Sequence, residues 1–349
     1  MILNCINFAF NFIIERMKLF TEVNVRKDSV GIDHSRPLML MGSCFADNIG
    51  ERLVAGKFDC CVNPFGTLYN PFSICSAIRR IASARLFTAD SEEIFSSGGL
   101  WHSWMHHSSF SNASKEEFLS GVNSALLRAS AYLASSGVVI LTLGTSWVYR
   151  LSQPGAVEVV ANCHKMPERM FERKMESVDA VYNALSGIYD IISEVNPSCR
   201  LIFTVSPIRH VRDGLHSNAL SKAVLLLAIN ELTKKNPDKI VYFPAYEIMN
   251  DELRDYRFYA DDLVHPSSMA IDILWQRFSD CFFSADTKAF VAEWGKINAA
   301  LNHRPITGMT DEYRSFISSV KDKIEKIKSV RKYLDVDKEL EICNTKLMK

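Results

Sequence analysis

The chain has 349 residues, of which 48% are hydrophobic, so it can bury a full core without disulfides or metal ions. Its 40 lysines and arginines balance 40 aspartates and glutamates, and this neutral charge argues against nucleic acid or an acidic membrane as the partner. The 9 cysteines include no C-x-x-C pair, which favours reduced, mostly buried thiols in a cytoplasmic protein over a zinc or thioredoxin-like site.

The chain begins with an apolar stretch at residues 1–14. This stretch is too short to span a bilayer, and it lacks the basic start and small-residue cleavage site of a secretory signal. Met17-Lys18 resembles an alternative start, so we expect residues 1–16 to be an upstream extension outside the fold. We expect one α/β domain over residues 17–285 and a helical C-terminal extension over residues 286–349.

Strand-like and helix-like segments alternate from residue 37 onward. The predicted strands are short apolar runs at residues 37–41, 60–62, 137–143, 201–205 and 240–243. The predicted helices cover residues 47–55, 70–84, 114–134, 178–192, 217–232 and 310–334, with two more from about residues 267 and 286. This alternation predicts an open, mostly parallel sheet with helices on both faces. In such a sheet the functional residues follow the carboxyl ends of the strands.

Gly42-Ser43-Cys44-Phe45 stands at the first of these strand ends. Ser43 follows an apolar run and precedes a predicted helix, so we expect its hydroxyl to be exposed on a turn. Its backbone N–H would lie near the positive end of the helix dipole, as a serine nucleophile that forms an oxyanion requires. Gly-Ser turns are common, so the candidate depends on residues further along the chain.

Asp262 and His265 stand just before the last helix of the alternating region. Their spacing lets a carboxylate accept a hydrogen bond from one imidazole nitrogen while the other nitrogen faces a serine. An Asp-His pair of this spacing can also be purely structural. Its position after the last strand, with a Gly-Ser turn after the first, favours a triad of Ser43, His265 and Asp262.

Together these motifs resemble the GSCFA family of the SGNH-hydrolase (GDSL-like esterase) superfamily. The family takes its name from the string at residues 42–46. Other motifs fall in the family's order: NPFG at 63–66, LGTS at 143–146, NCHK at 162–165, TVSPIRH at 204–210 and DLVHP at 262–266. The resemblance covers roughly residues 36–283. It implies a three-layer α/β/α sandwich with a flavodoxin-like sheet, and acyl transfer to Ser43 with His265 as general base.

The same resemblance implies an oxyanion hole. Ser43 and Gly66 would donate to it through their backbone N–H groups. The superfamily's third donor is an asparagine, and Ser146 stands at its position here, with a shorter side chain that donates only one hydrogen bond. On chemical grounds rather than alignment, Asn162 is our candidate for the missing amide.

Three further residues are candidate contacts to a substrate. Arg209 and His210 follow the fourth predicted strand and could bind a substrate carboxylate or phosphate, although a structural salt bridge is an equal alternative. His164 stands beside Cys163, as in a thiol or metal site. Because no second Cys/His pair stands at metal spacing, a packed histidine is favoured, and we expect no metal or cofactor.

The expected function is hydrolysis of an acyl ester, for example of an O-acetylated carbohydrate or a lipid-derived ester. The first alternative is a catalytically silent protein of the same fold that binds a ligand or partner, which Ser146 supports. The second is an acyltransferase that uses the same residues. The expected partners are small-molecule or carbohydrate acyl esters, without nucleic acid and without a membrane span.

Overall fold

The computed structural model describes residues 21–25, 30–152, 158–303, 305 and 310–348; the extension expected at residues 1–16 lies outside them. In chain order the elements are β1 (Leu38–Gly42), α1 (Cys44–Ala55), β2 (Cys60–Val62), α2 (Pro71–Ser83), β3 (Ile94–Ser97), β4 (Leu100–Ser103), α3 (Lys115–Ser135), β5 (Val138–Leu143), β6 (Trp147–Leu151), β7 (Phe171–Met175), α4 (Val178–Val195), β8 (Arg200–Val205), α5 (Gly214–Lys235), β9 (Ile240–Phe243), α6 (Ser268–Phe282), α7 (Ala285–Asn302), α8 (Asp311–Val330) and α9 (Asp337–Met348).

Within the described residues, a five-stranded parallel sheet forms the centre, in the order β2-β1-β5-β8-β9. The five predicted strands are all present in this sheet, which confirms the mostly parallel sheet and its flavodoxin-like order. The strand order reverses between β1 and β5, whose register pairs Leu38 with Val138 and Gly42 with Thr142. Ser43 therefore leaves the sheet at the point where parallel α/β folds bind their ligands.

Two layers of helices cover the two faces of the sheet. Met39 and Met41 pack in the core under α2, α3, α4 and α5, whereas Leu38 and Leu40 pack with α1 and α6. This alternation follows from the two-residue period of a strand. Every residue of β5 is buried, as expected for a central strand covered on both faces. The chain is thus an α/β/α sandwich with a helical C-terminal region.

Two short antiparallel hairpins, β3–β4 and β6–β7, stand outside the central sheet. The predicted strands do not include their four strands, because these are short and only half-buried. Residues 153–157, between β6 and β7, lie outside the described part of the chain. The β6–β7 hairpin supplies one wall of the site described below.

The C-terminal helices α7, α8 and α9 share a core of their own, which includes Trp294 and Ile317. They join the sandwich near the loop between α1 and β2. Lys57 in this loop forms a 2.7 Å ion pair with Glu339, and Asn298 donates to the backbone oxygen of Ala55 at 2.8 Å. That loop enters the amino end of β2, so these helices sit at the edge opposite Ser43. Among the described helices, none has the length and apolar character needed to cross a bilayer.

Candidate active site

A cavity of about 470 Å³ lies at the carboxyl edge of the sheet, beside the point where the strand order reverses. Its walls come from the loops after β1, β5 and β8, from the segment around the β6–β7 hairpin and from the loop before α6. The predicted site residues that line it are Ser43, Asn162, Arg209, His210 and His265. Residues from sequence positions more than 200 apart thus meet in one place.

Ser43 is the N-cap of α1. Its Oγ accepts a hydrogen bond from the Phe45 N–H at 3.3 Å. Only 1% of the residue is exposed, so the expectation of an exposed hydroxyl is wrong, although Ser43 does line the cavity. Among the described residues, the hydroxyl proton has no acceptor. Ser43 therefore holds its oxygen at a helix N-terminus, where the macrodipole favours negative charge, while its O–H remains available to a base.

Gly42 allows the turn that carries Ser43. Its φ is +140°, and a Cβ on this residue would lie 2.1 Å from the backbone oxygen of Thr142. Only glycine lets β1 and β5 come this close at their carboxyl ends. The Ser43 N–H consequently donates to the Thr142 oxygen at 3.0 Å.

Asp262 and His265 form a hydrogen-bonded pair, with 2.5 Å between Asp262 Oδ2 and His265 Nδ1. Asp262 Oδ1 accepts from the N–H groups of His265 and Val264, both at 2.9 Å. These backbone bonds, with the bond to the imidazole, lower the pKa of Asp262 to about 2. The carboxylate is therefore ionised at neutral pH and orients the ring, although both side chains are half-exposed.

His265 reaches the same cavity as Ser43. The bond at Nδ1 leaves Nε2 as the nitrogen that can accept a proton. No hydrogen bond joins Ser43 Oγ to His265 among the described residues, and in unliganded enzymes such a bond often tightens only on substrate binding. The arrangement places a hydroxyl and an imidazole at one cavity, with a carboxylate hydrogen-bonded to the imidazole.

Both of the expected backbone donors are already engaged. Besides Ser43, Gly66 donates its N–H to the Asn63 oxygen at 2.7 Å, and Gly66 does not line the cavity. A Cβ on Gly66 would lie 2.4 Å from the Cβ of His107, and its φ is +74°. Close packing against the segment of His107 accounts for this glycine, which corrects the expectation that its N–H faces the cavity.

Ser146 also lies away from the cavity. It is fully buried, and Ser221 Oγ accepts from both its N–H, at 2.8 Å, and its Oγ, at 3.1 Å. Asn162 does line the cavity; its Oδ1 accepts from the His164 N–H at 2.7 Å, and its Nδ2 has no partner among the described residues. Of these two candidates for the third oxyanion donor, only Asn162 lines the cavity.

Cys44 is a cavity residue whose role the sequence did not indicate. As the first residue of α1, it carries one of the N–H groups that a helix leaves unpaired. The signal that could have identified it is its place directly after the candidate nucleophile, at a helix N-terminus. Burial raises the pKa of its thiol, so the sulfur itself is a poor nucleophile.

The three candidate substrate contacts lie in different places. Arg209 and His210 line the cavity, whereas His164 does not. The His164 ring is buried beside Trp104, its Nε2 lies 2.8 Å from the Ser103 oxygen, and burial lowers its pKa to about 4. His164 is thus a packed, neutral histidine, and the structure does not bring it to the cavity.

Lys222 lies beneath the cavity and is 1% exposed. Its Nζ donates to the backbone oxygens of Gly144, at 2.7 Å, and Ser206, at 2.9 Å. No carboxylate of the described residues pairs with it. Burial lowers its pKa to about 7. Lys222 ties together the carboxyl ends of β5 and β8, which are neighbouring strands.

Comparison with protein-family models finds two matches. Residues 37–278 match the GSCFA family, and residues 294–349 match the GSCFA domain protein, C-terminal domain. No curated protein matches the chain.

Among solved structures, three weakly similar ones are esterases. One is a carbohydrate esterase family 3 from Talaromyces cellulolyticus, at 12% identity over 74% of this chain and 99% of that chain, with a TM-score of 0.34. A mutant acetyl esterase with an acetate ion has 11% identity over 75% and 99%, with a TM-score of 0.34. The acetyl xylan esterase Est2A from the rumen bacterium Butyrivibrio proteoclasticus has 12% identity over 76% and 66%, with a TM-score of 0.36.

Proposed function

The chain belongs to the GSCFA family, and we propose that it is a serine hydrolase of the SGNH type that cleaves an acyl ester at Ser43. The observation that carries the proposal is the convergence of Ser43 and His265 on one cavity, with His265 Nδ1 2.5 Å from Asp262 Oδ2. The low pKa of Asp262 keeps the carboxylate ionised at neutral pH, where it stabilises an imidazolium.

In the proposed reaction, Ser43 Oγ attacks the ester carbonyl while His265 Nε2 takes the hydroxyl proton. The C–O bond to the alcohol then breaks, and the alcohol leaves with the proton from His265. Water next attacks the acyl-serine with His265 again as base, which releases the acid and restores the Ser43 hydroxyl. Asp262 stays ionised throughout and holds the ring.

The developing oxyanion needs donors that are free to meet it. In our proposal these are the Nδ2 of Asn162 and the N–H of Cys44, because both residues line the cavity and neither group is engaged among the described residues. The helix N-terminus at Ser43 adds a favourable dipole. This assignment differs from the family pattern, in which Ser43 and Gly66 donate.

The rival is a catalytically silent binding protein of the same fold. The observation that favours it is that the N–H groups of Ser43 and Gly66 already donate to Thr142 and Asn63. A silent protein would bind ligands in the cavity without acylating Ser43.

A fluorophosphonate probe, together with hydrolysis of para-nitrophenyl acetate, separates the two. We expect the protein to be labelled on one serine and to turn over the ester, and Ser43→Ala to lose both activities. Ser177→Ala is the matched control, because Ser177 also caps a helix through its hydroxyl, at α4, and does not line the cavity. Absence of labelling and of turnover in the wild-type protein would refute the hydrolase.

A further inference from the structure

We infer that this cavity selects esters that carry a second, anionic group, a carboxylate or a phosphate, and that arginines of the cavity wall bind it. This inference rests on the proposed function, because it names the substrate class of the same site. Arg173, Arg209 and Arg212 line the cavity with Ser43 and His265, and no aspartate or glutamate is among the described residues of its lining.

Arg209 has the least compensated charge of the three. Its Nη2 donates to the backbone oxygen of Leu263 at 2.8 Å, and its guanidinium stacks over the Tyr259 ring at 4.7 Å. No carboxylate of the described residues pairs with it, and its Nε is buried without a partner. The alternative of a structural salt bridge is therefore not met within the described part of the chain. A guanidinium at the wall of a cavity without acids is a site for an anion.

Arg209 is also close to the chemistry. Leu263, whose oxygen it contacts, lies between Asp262 and His265 in the sequence. An anion bound to Arg209 would therefore sit beside the loop of the catalytic base. It would hold the rest of the substrate while the ester group meets Ser43.

Arg212 and Arg173 extend this positive wall. Arg212 contacts Tyr149 Oη and pairs with Glu168 at 3.0 Å, but its side chain is 63% exposed and that of Glu168 is 81% exposed. Such a surface pair is weak, so a ligand can compete for this arginine. Arg173 differs, because both of its terminal nitrogens bind Asp213, and it stacks over Trp147 at 4.6 Å. We assign it to the frame of the wall.

The sequence gives no signal for this wall as a unit. Arg173 comes from β7, a strand that the pattern did not predict, and Arg209 and Arg212 come from the loop after β8. The fold brings them together with Tyr149 and Trp147, whose rings support the guanidiniums.

Two acetyl esters of similar size and shape but different charge test the inference: para-acetoxybenzoate, which is anionic, and para-acetoxybenzamide, which is neutral. For each protein, kcat/KM is divided by the spontaneous hydrolysis rate of the ester, and the ratio of the two values is the charge preference. Hydrogen bonds to charged groups support a preference of about tenfold or more for the anion in the wild-type protein. It should weaken as salt is added.

Arg209→Met and Arg212→Met should each reduce this preference, and Arg209→Met should reduce it to less than about threefold. Because Arg209 also contacts the catalytic loop, its loss lowers turnover of both esters, but the ratio removes that shared effect. Arg85→Met is the control for net charge, since Arg85 is 72% exposed and follows α2, outside the cavity. A wild-type ratio near one, or a ratio that neither cavity variant changes, would overturn the inference and leave the hydrolase standing.

If neither ester is hydrolysed, calorimetric binding of para-hydroxybenzoate and para-hydroxybenzamide decides the inference, while the proposed function is still decided by probe labelling and para-nitrophenyl acetate. Binding of the carboxylate alone, lost in Arg209→Met, supports it, whereas equal binding of both compounds or of neither contradicts it. A third ester, para-acetoxyphenyl phosphate, distinguishes the two anions. If its normalised kcat/KM, relative to the neutral benzamide, exceeds that of the benzoate, the site prefers a phosphate. If it is smaller, the site prefers a carboxylate.

Discussion

Replacement of Lys222 by methionine should change the stability of this protein in a way that depends on pH. Methionine keeps most of the length of the side chain and removes the ammonium group. In the folded chain that group is 1% exposed and has two carbonyl acceptors but no carboxylate among the described residues. Burial lowers the pKa of Lys222 from its ordinary value of 10.5 to about 7.

The sign follows from proton binding. Between a folded pKa of about 7 and an unfolded value of 10.5, the unfolded chain holds more protons, so the free energy of unfolding rises with pH in that window. The penalty is fully present at lower pH, where it amounts to roughly 5 kcal/mol, and about 2 kcal/mol of it is recovered between about pH 7 and pH 9. The variant loses this penalty but leaves two buried carbonyl groups without a donor, at about 1–3 kcal/mol each.

We therefore expect the free energy of unfolding of Lys222→Met to be close to that of the wild-type protein near pH 7. From pH 7 to pH 9 the difference between variant and wild type should shift by about 2 kcal/mol in favour of the wild type. Urea unfolding followed by circular dichroism at several pH values measures it. Lys234→Met, at an exposed lysine of the same helix, should show a difference from wild type that does not change with pH. A constant difference for Lys222→Met as well would show that Lys222 keeps its charge and that its pKa is not lowered.

Three further changes test the site. Asp262→Asn removes the charge that orients the base, so kcat should fall by about 10³- to 10⁴-fold. A decrease of less than tenfold would contradict the role of Asp262 in a triad. Asn162→Ala should lower kcat by about 10²- to 10³-fold with little change in KM, whereas the kcat of Ser146→Ala should stay within about threefold of wild type. A larger effect of Ser146→Ala than of Asn162→Ala would indicate that Ser146 is the oxyanion donor, as the family pattern implies. Gly42→Ala should destabilise the protein by more than about 3 kcal/mol because its Cβ would overlap backbone, measured by denaturant unfolding. Gly98→Ala, at a positive φ with nothing within 4 Å, is the control and should cost about 1 kcal/mol.

The sequence was sufficient for the sheet because a central parallel strand has a distinctive composition. The run at β5 is apolar or β-branched throughout, and the structure buries all of it. Cap residues likewise predicted helix starts: the side chains of Asn70 and Ser114 each accept a hydrogen bond from a backbone N–H where α2 and α3 begin. These signals depend only on residues that are neighbours in the chain, so a single sequence is enough to predict these strands and helix starts.

The partners of backbone groups could not be predicted in the same way. Whether the Ser43 N–H faces a cavity or pairs with Thr142 depends on how closely β1 and β5 approach, which is a property of the assembled sheet. Gly66 has the residue type of an oxyanion donor, but its conformation serves the packing of His107. The arginine wall could not be predicted for a related reason, because Arg173 lies on β7, a short and half-buried strand in which polar residues outnumber apolar ones.

The opposite placement of the C-terminal helices and the cavity divides the surface of this protein into two independent parts. Lys57 and Glu339 join these helices to the amino edge of the sheet, while Ser43 leaves its carboxyl edge. The full length of the strands separates the two. A surface linkage introduced on these helices would therefore leave the mouth of the cavity open, so the protein can be immobilised through them for assays with large ester substrates.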